Sequence, residues 1–243
     1  MKTTFLSLTM VGLILCSCEG PKESKRHAVI ETDSCSYVMG NVHFTQSLNL
    51  KEKNTVQLTN DTLTMAAGRE TDLFCDPKGK ATNTSAPVLL AEVDNTKPFT
   101  FTVKVEPMFT ADGTYSAGGI MAFVDKTHWQ KLCFEQDEAG NHRIVTVRTI
   151  DVSDDNNHDM VNGSTVYLRF SSDTEVIGNY YSEDGKKWHL VRIYKNEYPA
   201  KFFLSISSQS PKGSIHICKF TEMDFVEKTV NNLREGNLKT SSL

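Results

Sequence analysis

The segment that decides the fold of this chain is Tyr180-Tyr-Ser-Glu-Asp-Gly-Lys-Lys-Trp188. Its centre, Glu183-Asp-Gly-Lys186, predicts a tight turn, because Asp-Gly supplies the positive φ that a hairpin connection requires. The flanking segments, 175–181 and 188–194, are rich in β-branched and aromatic residues, which favour strands. The segment therefore predicts a β-hairpin.

The same combination of strand segments and turn residues extends outward from this hairpin. Segment 99–106 alternates apolar and polar residues, with Phe99 and Phe101 on one face, which predicts a strand with one buried face. Segment 117–124 is apolar on both faces, which predicts a central strand. We expect about fourteen strands, at 42–50, 55–59, 62–66, 71–75, 87–93, 99–106, 117–124, 129–135, 143–150, 165–170, 176–181, 188–194, 201–207 and 214–220.

These strands predict an all-β chain that folds as an antiparallel jelly-roll β-sandwich, because many short strands follow one another with turn residues between them. Segments 201–207 and 214–220 are expected to pair across Pro211-Lys-Gly213. The segment 151–163 is rich in Asp and Asn and is expected to be a polar loop.

The length and net charge of the chain limit its possible architectures and partners. The 243 residues show no repeat, which fits one domain over 41–234 followed by a frayed tail, 235–243. Apolar Val226, Val230 and Leu233 predict a short helical turn at the end of the domain. The formal net charge is −4 without a basic block, which argues against nucleic acid as a partner.

The N-terminus has the pattern of an export signal. Lys2 precedes an apolar run, Phe5 to Leu15, that is too short to span a bilayer and has the length of a signal peptide. The run ends in Leu15-Cys-Ser-Cys18, which resembles a bacterial lipobox. This resemblance implies a lipoprotein signal peptide at 1–17 and lipidation of Cys18.

The expected location follows from this lipid. The polar segment 18–40 would act as a tether, and the lipid would be the only membrane contact of a protein at the bacterial cell envelope, on the outer membrane or cell surface. The alternative is an ordinary secreted protein with a nearby cleavage site. The oligomeric state is left open by the sequence.

Four further cysteines remain after the lipobox: Cys35 in the expected tether, and Cys75, Cys133 and Cys218 in the expected domain. They allow three disulfide pairings or none. Cys133 and Cys218 lie within apolar strands, so we interpret the four as small buried thiols, with disulfides as the alternative. Their wide spacing is not a metal-binding pattern, and the seven His residues form no H-x-H pair, so neither a metal nor a cofactor is expected.

The sequence resembles a bacterial domain-of-unknown-function family with a concanavalin A-like lectin/glucanase fold, related to the C-terminal accessory domain of β-xylosidases. The match covers about 44–234 and departs from the family at Leu50, where a Trp is usual. Four segments carry it: Leu63 to Phe74 with Asp76-Pro77 and Gly79; Tyr115 to Met121 with Asp125, Trp129, Lys131 and Glu135; Tyr181 to Trp188; and Ser210 to Gly213 with Phe220 and Asp224-Phe225.

Glucanases of this fold carry two carboxylates on one strand face, one as nucleophile and one as acid/base. The nearest match is Glu135-Gln-Asp-Glu-Ala-Gly140, in which Ala139 and Gly140 occupy the positions that a second Glu would need. No catalytic residue is therefore expected, although a divergent glycoside hydrolase that uses Glu135 is an alternative. The acidic segment 151–159 does not match a calcium loop, because Met160 stands where Gly is needed.

A binding face is the remaining interpretation. Trp129, Lys131 and Glu135 alternate onto one face of a strand, and Arg148 lies on the next strand. We expect these four residues to line an open groove that binds a glycan, because isolated buried charges are costly. Structural ion pairing within the sheet is the alternative. Trp188 is expected in the core.

The sequence thus predicts a non-catalytic, lectin-like lipoprotein that binds carbohydrate. The alternative is a structural or interaction module of an envelope complex, without a sugar ligand.

Overall fold

A computed structural model describes residues 31–51 and 53–238. The signal peptide and Cys18 lie outside the described residues. The described part of the chain contains seventeen strands: β1 Asp33–Met39, β2 Val42–Leu48, β3 Thr55–Thr59, β4 Thr62–Ala67, β5 Leu73–Cys75, β6 Thr82–Thr84, β7 Val88–Asp94, β8 Phe99–Pro107, β9 Ala117–Asp125, β10 His128–Gln136, β11 His142–Ile150, β12 Val152–Met160, β13 Val166–Ser172, β14 Val176–Ser182, β15 His189–Lys195, β16 Lys201–Gln209 and β17 His216–Val226. Over these same ranges, no helix has the length and apolar character that crossing a bilayer requires.

The strands form two packed antiparallel sheets, which confirms the all-β sandwich. The eight-stranded sheet has the order β1-β2-β7-β16-β9-β10-β11-β12, and the seven-stranded sheet has the order β15-β14-β13-β8-β17-β4-β3. Strands β5 and β6 form a separate small hairpin. The main core lies between the two sheets, where side chains such as Phe101, Phe134 and Phe170 are fully buried.

The turn between β14 and β15 confirms the hairpin that the sequence predicts. Gly185 has a φ of +72°, which an L side chain rarely adopts. Asp184 Oδ1 accepts hydrogen bonds from the backbone N–H groups of Lys186 and Lys187, each at 2.8 Å, and Ser182 Oγ accepts from Gly185 N at 2.9 Å. These backbone donors stabilise the carboxylate and lower the pKa of Asp184 to about 2.

Three strands are not predicted by the sequence pattern: β1, β6 and β12. Strand β1 lies in the range expected to be a tether, and β12 lies in the range expected to be a polar loop, so both expectations are wrong for these residues. Strands β1 and β12 are the two edges of the eight-stranded sheet. An edge strand can keep most of its side chains in water, so it does not need the apolar alternation that identifies inner strands.

Strands β16 and β17 are not a hairpin, contrary to the expected pairing. Strand β16 lies between β7 and β9 in one sheet, whereas β17 lies between β4 and β8 in the other. The connection 210–215 therefore crosses from one sheet to the other. Turn residues between two strands mark a change of direction, but they do not show which sheet the next strand joins.

The expected C-terminal helical turn at 226–233 is also absent, because β17 continues to Val226 and the following described residues form an irregular segment. A single turn occurs later, where the N–H groups of Glu235 and Gly236 both donate to Asn232 O at 3.0 Å. Gly236 O accepts a hydrogen bond from Arg169 Nη1 at 2.7 Å, so the chain is still attached to the sheet at this point. Residues 239–243 of the expected frayed tail lie outside the described part.

A second, smaller core covers the outer face of the eight-stranded sheet. Along β10, Leu132 and Phe134 point into the main core, whereas Trp129 and Cys133 point to the other side. There they pack with Leu73 of β5 and with side chains of β7, β9 and β11. The four cysteines of the domain are free, and all but the half-buried Cys35 are buried, as the interpretation as thiols requires.

Candidate functional site

A groove of about 580 Å³ opens beside this second core, on the outer face of the eight-stranded sheet. Two aromatic side chains, several amides, five carboxylate residues and two lysines line it. The lining residues are Asp72, Phe74, Asn83, Tyr115, Lys131, Glu135, Asp137, Glu138, Val145, Val147, Asp155, Asn157, Gln209, Pro211 and Lys212.

Lys131 forms the deepest charged part of the groove and is 2% exposed. Its Nζ donates to Gln209 Oε1 at 2.7 Å and to the Leu73 carbonyl oxygen at 3.1 Å, and it lies 3.9 Å from Asp72 Oδ1. Burial acts to lower the pKa of Lys131, but its acidic neighbours, Asp72 foremost, together outweigh this effect and leave the pKa raised. Lys131 is therefore a buried ammonium with internal partners.

Glu135 lies two residues further along the same face and is 8% exposed. Its Oε2 is 3.4 Å from Gln209 Nε2 and 3.8 Å from the Cys133 thiol. Burial raises the pKa of Glu135 to about 8, despite the opposing charge of Lys131. The Glu135 carboxyl therefore holds its proton more tightly than a solvent-exposed glutamate does.

Gln209, at the end of β16, connects these groups. Its Oε1 accepts from Lys131, and its Nε2 donates to the carbonyl oxygen of Tyr115 at 3.0 Å and to Glu135. This bonding pattern fixes the orientation of the amide, because Lys131 can only donate. The amide thus joins β10, β16 and the segment that precedes β9.

The walls carry two further carboxylates with raised pKa values. Burial raises the pKa of Asp72, and its ion pair with Lys131 opposes the effect. Asp155 reaches the groove from β12, and desolvation by the surrounding protein raises its pKa too. Asp137 differs: burial acts to raise its pKa, but donors from Asn141 and Ala139, together with Arg143, hold it below its usual value.

Two half-exposed aromatic rings complete the lining, Tyr115 and Phe74. Tyr115 has a φ of +62°, an uncommon value for a residue with a side chain. Its backbone N–H donates to the Gln136 carbonyl oxygen at 2.7 Å, which holds this conformation. The ammonium of Lys212 lies 5.0 Å from the centre of the Tyr115 ring, at cation–π distance.

Two of the four residues expected to form the binding face, Lys131 and Glu135, line the groove, but Trp129 does not. The Trp129 side chain is 0% exposed, and its Nε1 donates to the Lys126 carbonyl oxygen at 3.3 Å. It lies beneath the groove in the second core, because β5 and its flanking chain cover it. The expectation that Trp129 offers a surface to a ligand is therefore wrong.

Arg148 lies on the opposite side of the sheet from Lys131 and Glu135, which also corrects the expected arrangement. In the β10–β11 register, Lys131 is opposite Val147, and Arg148 is opposite Gln130. One step along a strand reverses the side-chain direction, so Arg148 points towards the other sheet. There it lies 3.6 Å from a Glu197 carboxylate oxygen and 5.3 Å from the centre of the Tyr194 ring.

The remaining groove residues come from segments that the sequence interpretation did not join. Asp72 and Phe74 precede and begin β5, Tyr115 precedes β9, and Gln209 and Lys212 lie at the end of β16. A signal was present, because three of the four segments that carry the family resemblance contribute to the groove. The fourth contains Trp188, which is only half buried and stacks on Arg169 with its guanidinium carbon 3.5 Å from the ring centre.

The acidic side chains do not form a metal centre of the usual kind. Within residues 31–51 and 53–238, no group of three or more His, Cys, Asp and Glu side chains is placed to hold a metal ion. The lining of the groove itself consists of carboxylates, amides, two lysines, two aromatic rings and a few aliphatic residues.

Comparison with known proteins identifies the family and the fold. The model of the family described as "Protein of unknown function (DUF1349)" matches residues 50–228. No curated protein matches the chain significantly. A functionally unknown protein from Saccharomyces cerevisiae shares the fold with a TM-score of 0.66 at 22% identity, over 76% of this chain and 96% of its own.

Larger proteins contain the same fold as a part. The GH43 protein BlXynB from Bacillus licheniformis matches with a TM-score of 0.53 at 17% identity, over 70% of this chain and 33% of its own. A xylan β-1,4-xylosidase from Bacillus halodurans matches with a TM-score of 0.55 at 12% identity, over 73% of this chain and 39% of its own. The similarity to xylosidase-type sandwiches is thus confirmed for the fold.

Substitution of Lys131 and of Arg148 should show which of these two charges the fold depends on. We expect Lys131→Met to lower the free energy of unfolding by about 3 kcal/mol or more, because it leaves the half-buried Asp72 carboxylate and the Gln209 amide oxygen without their cation. Arg148→Ala should cost about 1 kcal/mol or less, because its ion pair is long and partly exposed. Urea unfolding of both variants tests this expectation, and equal losses would contradict it.

The buried carboxyl of Glu135 should make stability depend on pH. Its pKa rises from 4.5 to about 8 on folding, so the folded state binds the proton more tightly. The resulting stabilisation is complete below pH 4.5 and is lost as the pH rises through 8. Glu135→Gln lacks this pH-dependent stabilisation, so its free energy of unfolding relative to the wild type should increase with pH. Thermal melts across this range, with Glu106→Gln on β8 as the control, should show the trend only for Glu135→Gln; parallel curves would contradict it.

Proposed function

The chain belongs to the DUF1349 family of unknown function, and from that premise we propose that it binds a glycan in the groove between β5, β10, β12 and the end of β16. The observation that carries the proposal is the lining itself, which places two half-exposed aromatic rings beside carboxylates and amides. Sugar rings present apolar C–H faces and hydroxyl edges, so a site with both kinds of contact suits them.

The polar groups are suited to hydroxyl groups in particular. Carboxylates accept hydrogen bonds, and the amides of Asn83 and Asn157 can both donate and accept. Gln209 is already engaged with Lys131 and Tyr115, so it orders the floor of the groove and leaves the walls to the ligand. A ligand with many closely spaced hydroxyls would satisfy these walls in several ways.

Binding without hydrolysis fits the same geometry. Asp137, the carboxylate two positions from Glu135, has its Oδ1 bonded to the N–H groups of Ala139 and Asn141 and its Oδ2 bonded to Arg143 Nε at 2.9 Å. A carboxylate held in this way is a poor nucleophile or base, so Glu135 lacks the partner that glycoside hydrolysis requires.

The fold supports a glycan as the first ligand class to test. One protein with the same fold is named as a xylan β-1,4-xylosidase, and the sandwich there is part of a much longer chain. We further propose that this protein is held at a bacterial cell envelope by a lipid on Cys18. That part rests on the N-terminal sequence alone.

The binding proposal is tested on a glycan array with the mature protein, followed by calorimetry on the best ligand. Tyr115→Ala should weaken binding about five-fold, because an aromatic contact of this kind contributes about 1 kcal/mol. The matched control is Trp188→Ala, a half-buried aromatic residue outside the groove, which should bind like the wild type.

The array also separates the other interpretations. If no glycan binds, the groove has no sugar ligand, and an interaction module in an envelope complex is the better description. Reducing-sugar release that disappears in Glu135→Gln would show a divergent glycosidase. Equal loss of affinity in the Tyr115 and Trp188 variants would place the binding site elsewhere.

The lipid proposal predicts different results for two neighbouring cysteines. Cys18→Ala should abolish acylation and either release the protein or leave it as an uncleaved precursor, because Cys18 is the expected acceptor. Cys16→Ala should be acylated normally. Metabolic labelling with a fatty acid in a bacterial host measures both, and labelling that depends on Cys16 would contradict the assignment.

A further inference from the structure

We propose that the glycan bound in this groove carries a protonated amino group, which lies against the carboxylates of Glu135 and Asp155. This inference rests on the proposed function and names the class of sugar: a glycan with free amino groups, such as a glucosamine polymer, in preference to a neutral or acidic one. The charges, the bonding of Glu135 and the environment of Tyr115 support it.

The charges of the groove do not balance. Five carboxylate residues line it against two lysines, Lys131 and Lys212. Lys131 uses its ammonium on Asp72, Gln209 and a backbone carbonyl within the floor. Lys212 is exposed and lies over the Tyr115 ring. An acidic glycan would add to the negative charge, whereas a cationic group would reduce it.

Three of the five groove carboxylates have no ion pair within 4 Å among the described residues: Glu135, Asp155 and the exposed Glu138. Asp72 pairs with Lys131, and Asp137 pairs with Arg143. Glu135 and Asp155 have raised pKa values because desolvation disfavours their ionised forms. A cation placed between them would compensate for that desolvation.

Glu135 has a free position for such a group. It is more than nine-tenths buried, yet it lines the groove. Both of its hydrogen-bond contacts in the described structure, from Gln209 and Cys133, are made to Oε2, so Oε1 is without a partner there. This oxygen is accessible from the groove, so an ammonium or amine N–H supplied by a ligand can donate a hydrogen bond to it.

The aromatic wall is compatible with a cation as well. The ammonium of Lys212 lies 5.0 Å from the centre of the Tyr115 ring, so this ring already has an amino group as a neighbour. An amino sugar could stack on the exposed aromatic surface and place its nitrogen towards the acidic floor. A neutral sugar would make the stacking contact alone.

The test compares two oligosaccharides that differ only in whether their amino groups are free or acetylated. A chito-oligosaccharide of N-acetylglucosamine and its fully deacetylated form have the same backbone and length, but only the second carries amines. We expect the mature protein to bind the deacetylated form at least about ten-fold more tightly in calorimetry at neutral pH, where the Glu135 carboxyl can pass its proton to the sugar amine and form an ion pair with it. The preference should decrease at high salt.

Charge-neutralising variants locate the preference within the groove. Glu135→Gln should reduce the ratio of the two affinities about five-fold or more. Asp155→Asn should act in the same direction, and it remains informative if Glu135→Gln folds poorly, because Asp155 is exposed. Glu106→Gln, which removes a surface carboxylate on the other sheet, is the matched control and should leave the ratio unchanged.

These experiments distinguish failure of the amino-sugar inference from failure of the proposed glycan binding. Equal affinity for the two oligosaccharides overturns this inference, while any glycan binding that depends on Tyr115 leaves the proposed function intact. Binding to neither oligosaccharide, together with an array without hits, overturns both. Oligolysine of the same charge is a further control: if it binds as tightly and displaces the deacetylated sugar, the groove is a site for cationic peptides, and the inference is wrong.

Discussion

The groove depends on one constraint: a lysine buried in the middle of a β-sheet needs protein groups, instead of water, to compensate its charge. The Lys131 ammonium reaches three partners in two separate parts of the chain: the Asp72 carboxylate and the Leu73 carbonyl at the start of β5, and the Gln209 amide at the end of β16. A buried ammonium without these partners would be strongly destabilising. Satisfying it fixes β5 across the outer face of the sheet. That position buries Trp129 and leaves open the space beside it that becomes the groove.

Covering the outer face explains why the eight-stranded sheet is apolar on both sides in its middle. Strand β9 contributes Ile120 to the main core and Met121 to the second one. Most sandwich sheets have one face in water, but here a short hairpin and its flanking chain occupy part of that face. The groove begins where this cover ends, so polar and apolar residues meet at its boundary. Such boundaries are common sites of ligand binding, because the site can be both ordered and accessible.

Sequence patterns over a few residues predict those parts of the structure that depend on interactions between near neighbours in the chain. The hairpin at Gly185, the central position of β9 and the β10–β11 pair follow from turn residues and from alternation over a few residues. Alternation also placed Lys131 and Glu135 correctly on one face. It misled for Arg148, because residues of two strands share a face only in a particular register, and the register differed by one position from the assumed one.

The rest depended on contacts distant in sequence. Asp72, Tyr115 and Gln209 meet at the groove because β16, β9 and β10 are neighbours in the sheet and β5 packs on their outer face. Neither the sheet order nor this packing is encoded in periodicity. The edge strand β12 could not be predicted from an apolar pattern that it does not have. The polar side chains of β12 affect how two copies of the protein meet. Asp154, Asp155 and Asp159 of one copy would face the same carboxylates of the other if the two β12 edges approached each other. Electrostatic repulsion along this edge opposes aggregation by strand addition, and it keeps the wall of the groove that Asp155 and Asn157 form from being covered by a neighbouring molecule.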